Sequence, residues 1–531
     1  VVIATLVAAL PAMVGAAVLR AVGFESAMEL APQVTGPPPI GSFHDIRWLL
    51  IYHDSWLTFV AELLAATAVR AGLNTVLAVL CWPESHPRPP WPVLLRSNLV
   101  YAAVLALVLS PWAAVAGAAS DTSLSWFLFG ELVPVVLLAS VLQRGAATLS
   151  WWRGLPSLPA VGWSLAGVGL ATVDAAVIGF TPGWWAVPVS GVAGAVNGLL
   201  WWRLIHAEVV ARPRLPRVPV APTAVVCTAG LLLAMSQYSV VGEADAAAPM
   251  PTIPMTVPEA VMYVAGYDSV FDGRPSETAT PSSHFSYRGQ AADGRPLPYG
   301  PLDTHDSLAV SAARLAGQVE ALHQRTGRRV ALIAQSEGTL VVRTYLQTQP
   351  HPWADAAVLL SPLVRPGRIY YPPRDAGSGW GIALGWELRA MLAVVRWSSG
   401  TPVSPDEPFA RSVVDHGPLY RDTMLCPAPG LRVVAFLPTA SAVVVPPNAG
   451  PTAPVVELPG LHASLLGRPD VQRLIAAFLN GGGVGHHTGW YYPVIQKAAA
   501  AWQAPALAVH VNPAWPARAP DVSFGQDGCA H

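Results

Sequence analysis

Val330-Ala331-Leu332-Ile333-Ala334-Gln335-Ser336-Glu337-Gly338-Thr339-Leu340 joins a short apolar run to the start of a helical pattern, with a serine at the junction. An unbroken apolar run of this length, bounded by turn residues, reads as a strand buried on both faces, the kind found in parallel sheets. The segment Ala334–Gly338 has the form small-x-Ser-x-Gly of a nucleophile elbow. Such a turn holds the serine in a strained backbone conformation that exposes its hydroxyl, and it needs small residues on either side because strand and helix approach closely. Ala334 stands where glycine is more usual. In a chain this rich in Ala and Gly the bare pattern arises by chance about once, so its strand–turn–helix context carries the inference.

Outward from this segment, short apolar runs alternate with helical patterns. Strand-like runs fall at 260–266, 284–288, 329–334, 356–360, 432–437 and 454–457, and helix-like ones at 306–325, 337–348 and 469–480. The alternation predicts βαβ units and a mainly parallel sheet across 259–482. Roughly 270 residues from Glu259 onward suffice for one such domain with its own core. A serine hydroxyl is a weak nucleophile until a base takes its proton, and the base must come from elsewhere in the fold. His462, in a loop after the last expected strand and before the final helix, is the best-placed candidate, against the alternative of an ordinary loop histidine. His284, His305, His323, His351, His416, His486 and His487 are less well placed.

On these residues, 255–482 resembles the α/β-hydrolase superfamily, and the Ala334–Gly338 elbow is similar to lipase and esterase versions. The whole arrangement looks like an actinobacterial membrane-linked hydrolase. The resemblance implies the chain order serine before histidine, as found here. It also implies an oxyanion hole made by the backbone amide of Glu337 and by the turn Gly266-Tyr267-Asp268, although Gly266 equally suits a tight turn alone. The superfamily's acid follows the strand before the histidine strand. No carboxylate occupies that loop here: Ser441 stands at about the expected position, and a hydroxyl cannot stabilise an imidazolium as a carboxylate does. Asp415 and Glu457 are the nearest substitutes; a Ser336–His462 dyad, or loss of catalysis, are the alternatives. The excursion 363–415 fits a helical lid insertion, and the tryptophans within Trp380–Leu392 suit a headgroup interface. A lid helix touching the membrane favours lipid-like substrates; a helix packed on its own domain is the alternative.

The N-terminal half reads differently. Asp, Glu, Lys and Arg make up 12% of the 531 residues, about half the ordinary share. Roughly seven runs are long and apolar enough to span a bilayer: 1–20, 55–81, 97–118, 124–143, 159–180, 183–205 and 219–237. The second is the weakest, because it contains Glu62 and Arg70; a tilted span with Arg70 snorkelling and Glu62 facing other helices accounts for them. The cluster from His44 to Trp56 reads as an interfacial stretch rather than a metal or proton site. Basic loops recur after the second, fourth and sixth runs. This predicts a cytoplasmic N-terminus and an extracytoplasmic C-terminal domain. The chain opens on Val1-Val2, so residue 1 is taken as an arbitrary start.

The expected organisation is therefore a multi-pass α-helical membrane domain (1–238), a linker (239–258), an α/β-hydrolase-like domain (259–482) and a C-terminal extension (483–531) without recognisable chemistry. A net charge of −1 argues against a nucleic-acid partner. The four cysteines have no metal-site spacing, and Cys426 and Cys529 are the pair suited to a disulfide. No cofactor or metal is implied; the expected partners are membrane lipids and an ester or lipid-like substrate. The leading expectation is a membrane-anchored extracytoplasmic serine esterase. A non-catalytic membrane scaffold with a degenerate hydrolase domain, or a lipid transporter with a hydrolase-like outer domain, are the alternatives.

Overall fold

The computed structural model describes residues 1–120, 133–148, 150–210, 217–230, 257–274, 281–364, 366–400, 402–421, 423–439, 453–460, 462, 464–485 and 487–515. Parts of the fourth and seventh apolar runs, most of the linker, Ser441, His486 and Cys529 lie outside them.

The N-terminal half is helical: α1 (Val2–Ala21), α2 (Ile40–Ile51), α3 (Trp56–Leu80), α4 (Trp91–Ala119), α5 (Val133–Leu142), α6 (Leu158–Phe180), α7 (Ala186–Val210) and α8 (Val220–Gly230). Of these, α1, α3, α4 and α6 are long and apolar enough to cross a membrane. Leu57, Val69, Leu107 and Val173 point outward from them, as side chains surrounded by hydrocarbon do. The second run, weakest in the sequence, is among the four as α3. α7 covers the sixth run but carries Arg203, His206 and Glu208 in its second half. Helices α1 and α7 meet through small residues. Ala4, Ala8, Ala12 and Ala16 form a fully buried stripe, and a Cβ on Gly194 or Gly198 would lie 2.6 Å from the Ala8 carbonyl oxygen or 2.7 Å from the Thr5 Cα. Without a hydrophobic driving force between helices in lipid, such close backbone packing is a main source of association.

Of the cluster from His44 to Trp56, expected at the interface, His44–His53 are buried or half-buried, while Asp54 and Trp56 are exposed. A 3-10 run (Glu25–Thr35) and α2 form a hairpin buried among the long helices. Asn197 donates to the Pro32 carbonyl (2.8 Å) and Trp201 to the Thr35 carbonyl (3.0 Å), both from the middle of α7. Ile40 lies against Gly167, near the middle of α6, so the hairpin tip reaches the mid-height of these helices. Arg70 also departs from the snorkelling expectation. Its guanidinium is buried, paired with both oxygens of Asp45 (2.7 and 2.8 Å) and donating to the Val34 and Gly41 carbonyls (2.9 Å each), while Glu62 is the exposed one. The hairpin supplies the acceptors that make burial of this charge tolerable.

The C-terminal half contains one six-stranded sheet, ordered β2-β1-β3-β4-β5-β6 and parallel throughout. The strands are β1 (Ala260–Val264), β2 (Ser282–His284), β3 (Val330–Gln335), β4 (Ala354–Leu360), β5 (Arg432–Pro438) and β6 (Val455–Leu458), close to the expected runs except for β2, which shares only His284 with the expected 284–288. Alternate residues face two cores. Met262, Leu332 and Ala357 pack with α9 (Leu308–Thr326) and α10 (Glu337–Thr348); Tyr263, Ile333, Val358 and Phe436 pack with the later helix Pro469–Leu479. Helices on both faces explain why these strands read as unbroken apolar runs.

Two segments tie the halves together. Within the 363–415 excursion lie α11 (Ile382–Ser399) and α12 (Pro408–Asp415), followed by α13 (Gly417–Arg421). α11 packs on the N-terminal helices: Leu384 lies against Gly117, Ser110 donates to Glu387 (2.7 Å), and the Ala383 amide donates to His53 Nε2 (2.9 Å). The C-terminal extension follows α14 (Pro469–Leu479) and forms α15 (Tyr491–Ala499), which runs along α6. The segment beyond it sits on the hairpin. Buried Arg47 donates to the carbonyls of Ala501 (3.1 Å) and Gln503 (2.8 Å), Tyr52 to that of Ala506 (2.7 Å), and Trp502 to Thr172 Oγ1 (2.9 Å).

Replacing Arg47 by Met removes two of these bonds and the one to Gln33 Oε1 (2.6 Å); Gln33 Nε2 still donates to the Ala501 carbonyl (2.7 Å), so the loss falls on the Gln503 carbonyl and Gln33 Oε1, at about 1–3 kcal/mol each. Limited proteolysis is expected to cut within 500–515 well before it cuts the sheet domain in Arg47→Met, and to spare that segment in the native protein. Equal resistance of the two would show that the extension is held by other contacts.

Candidate active site

The chain leaves β1 toward β2 on one side and leaves β3 toward β4 on the other. The carboxyl ends of β1 and β3 therefore flank the point where the winding reverses, the place where open parallel sheets form a binding crevice. Ser336 follows β3 there with φ 51° and ψ −119°, a strained conformation for a residue with a side chain. It is partly exposed, and its amide donates to the Leu360 carbonyl (3.1 Å). Gly338 shows why a small residue is needed after it: a Cβ would lie 2.3 Å from the Val264 carbonyl oxygen and 2.8 Å from that of Ala265. A Cβ on Gly266 would stand 3.0 Å from Ser336 Cβ, so the turn after β1 touches the serine directly.

His462 Nε2 lies 2.9 Å from Ser336 Oγ, although 126 positions separate the two residues. Its imidazole is only partly open to solvent, and desolvation pushes its pKa down to about 4. At neutral pH the ring is uncharged and able to accept a proton. Its loop is held from below by Ser361 at the end of β4, which has φ 48° and whose hydroxyl donates to the His462 carbonyl. Ser361 carries no sequence signal; a lone serine after a strand is too common to single out.

Of the expected oxyanion residues, the Asp268 amide is already taken by Thr304 Oγ1 (3.0 Å). Among the described residues the Gly266, Tyr267 and Glu337 amides donate to no protein oxygen, so these are the donors open to a ligand. The carboxylates considered for the acid position are engaged elsewhere. Asp415 pairs with Arg411 one turn away on α12, and Glu457 accepts from Thr439 Oγ1 (2.8 Å) and the Gly489 amide (2.6 Å). Ser441 lies outside the described residues, as does Cys529, whereas Cys426 is disulfide-bonded.

Behind the serine lies a polar cluster that the sequence did not mark. Asp268 (φ 58°) and Glu407 both pair with His305, at 2.7 Å to Nε2 and 3.0 Å to Nδ1. Glu407 also accepts a short hydrogen bond from the Tyr267 hydroxyl. Glu337 is fully buried beside this cluster, and neither carboxyl oxygen makes a hydrogen bond among the described residues. Burial holds its pKa well above the usual carboxylate range; the nearby Glu407 and Asp268 charges add to this, and His305 opposes it. A neutral Glu337 places no negative charge beside Ser336. No group of three or more His, Cys, Asp and Glu side chains suited to a metal ion occurs among the described residues.

A raised carboxyl pKa stabilises the fold fully below about pH 4.5 and costs stability progressively as pH rises toward the folded value. Glu337→Gln is therefore expected to melt at a higher temperature than the native protein at pH 8, with the difference vanishing near pH 4. A variant less stable than native at both pH values would mean that Glu337 is charged and paired. No protein-family model matches the chain, and no curated protein matches it.

Proposed function

We propose that the chain is a membrane-anchored serine hydrolase that cleaves an ester of lipid or cell-envelope type. The observation that carries this is the 2.9 Å contact between His462 Nε2 and the hydroxyl of Ser336, on a strained turn at the switch point of the sheet. Ser336 Oγ attacks the ester carbonyl carbon while His462 takes its proton. The tetrahedral oxyanion is held by the Tyr267 and Glu337 amides. Collapse of this intermediate expels the alcohol, which receives the proton from His462, and leaves an acyl group on Ser336. Water, deprotonated by the same imidazole, then releases the acid. The packing of α11 on α4 supports a lipid-like substrate, because it seats the domain against helices that can cross a membrane.

The membrane topology belongs to the same proposal: seven spans, a cytoplasmic N-terminus and an extracytoplasmic catalytic domain. Its support is the alternation of basic loops and the disulfide at Cys426, which an oxidising compartment permits. A reporter fused after Gln237 is expected to read out as extracytoplasmic; a cytoplasmic signal would overturn the assignment. The rival scaffold reading draws on the engagement of Asp415 and Glu457 away from His462.

Labelling of the purified protein with a fluorophosphonate probe separates the two. Native protein is expected to label at Ser336, and Ser336→Ala and His462→Ala to lose labelling by at least about a hundredfold. Because the imidazole titrates near 4, the labelling rate is expected to be flat from pH 5 to 8 and to fall by half near pH 4. Absence of labelling in folded native protein would favour the scaffold.

A further inference from the structure

We infer that His305 and Glu407 are positioning residues for the proposed hydrolysis, holding the Gly266–Asp268 turn against Ser336 and coupling it to the helix that packs on the membrane half. This rests on the hydrolase reading above. Asp268 has φ 58°, a left-handed conformation that a residue with a side chain keeps only when its surroundings hold it there. Two contacts hold it: Thr304 Oγ1 takes its amide, and His305 Nε2 takes its carboxylate at 2.7 Å. The other imidazole nitrogen lies 3.0 Å from Glu407, whose second oxygen takes the Tyr267 hydroxyl. Tyr267 lies flat on the imidazole, with ring centroids 4.4 Å apart and planes 9° from parallel. The turn is thus gripped at two consecutive residues by one imidazole and one carboxylate from distant parts of the chain.

The charges suit the role. Burial alone would lower the pKa of His305, but hydrogen bonds and attraction from Asp268 and Glu407 push it up to about 10, so at neutral pH it is an imidazolium between two carboxylates. The bond to Asp268 is charge-assisted, a kind about twice as strong as a neutral one that fixes direction as well as distance, while Glu407 Oε2 is held to the imidazolium at 3.0 Å by charge. The grip also extends beyond the site. Asp406, next to Glu407, binds Arg389 of α11 through two parallel bonds of 2.7 and 2.6 Å, and α11 packs on α4. The backbone amide of Tyr267, an oxyanion donor in the proposed mechanism, is therefore located by a network that starts at the membrane helices. A donor displaced by about 1 Å costs up to about a hundredfold in rate while leaving substrate binding largely intact.

The test is steady-state hydrolysis of p-nitrophenyl butyrate by the full chain in detergent or liposomes, with fluorophosphonate titration of active Ser336 in each sample. Glu407→Gln and His305→Gln are expected to lower kcat by about tenfold to a hundredfold with KM within about twofold, and Glu407→Asp to recover part of the loss. Tyr267→Phe removes one hydroxyl contact, keeps the ring stacking, and is expected to lose a few-fold in kcat. It serves if the charge variants fail to fold. Unchanged kcat in the folded variants, or a change confined to KM, would overturn the inference while leaving the hydrolase reading intact. A native chain that neither labels nor turns over would overturn the hydrolase reading, and this inference with it.

Discussion

The C-terminal half depends on how closely β1, β3 and the start of α10 approach one another. The first turn of α10 passes so near the end of β1 that no side chain fits at Gly338, and the turn after β1 rests directly on Ser336. That crowding leaves the serine no relaxed conformation; its backbone reverses at positive φ, and the hydroxyl is presented rather than folded into the helix. The same closeness brings the turn after β1 and the start of α10, with the positive end of its dipole, to the serine. Ser361, at the end of the next strand, then holds the loop that delivers His462.

The membrane half follows a related constraint. Where helices meet without a hydrophobic driving force, small residues permit contact and every polar group needs a partner. The Ala stripe of α1 meets the glycines of α7, and the hairpin before α3 meets the guanidinium of Arg70 and the side chains of Asn197 and Trp201. The C-terminal extension completes this pattern. Arg47 is buried in the hairpin and finds its acceptors in a segment about 450 residues later, so the end of the chain acts as the joint between the halves.

Three titratable groups around Ser336 are driven to different charge states by their surroundings. Desolvation keeps His462 neutral, two carboxylates keep His305 charged, and burial keeps Glu337 neutral beside Ser336. Groups with separated protonation states in one site are the pattern by which acid and base roles are divided. Here they comprise a neutral imidazole, an imidazolium and a neutral carboxyl.

The sequence by itself determined what local pattern can determine. The apolar periods set the strands, α10 matches its expected span of 337–348, and Ala334–Gly338 marked the elbow because strand, serine and helix are contiguous. His462 was legible from its place between the last strand and the last helix of the sheet domain. Only the tertiary structure decided the rest, because the groups concerned meet across long stretches of chain. His305 and Glu407 lie 102 positions apart in segments with no motif, and the burial that makes Glu337 neutral is a property of packing, not of its neighbours in sequence. The cluster from His44 to Trp56 reads as interfacial in the sequence because polar residues such as Asp45 and Arg47 find their partners in segments that the local sequence does not contain. Which of Arg70 and Glu62 turned inward was likewise a question of available partners, answered only where the chain folds back on itself.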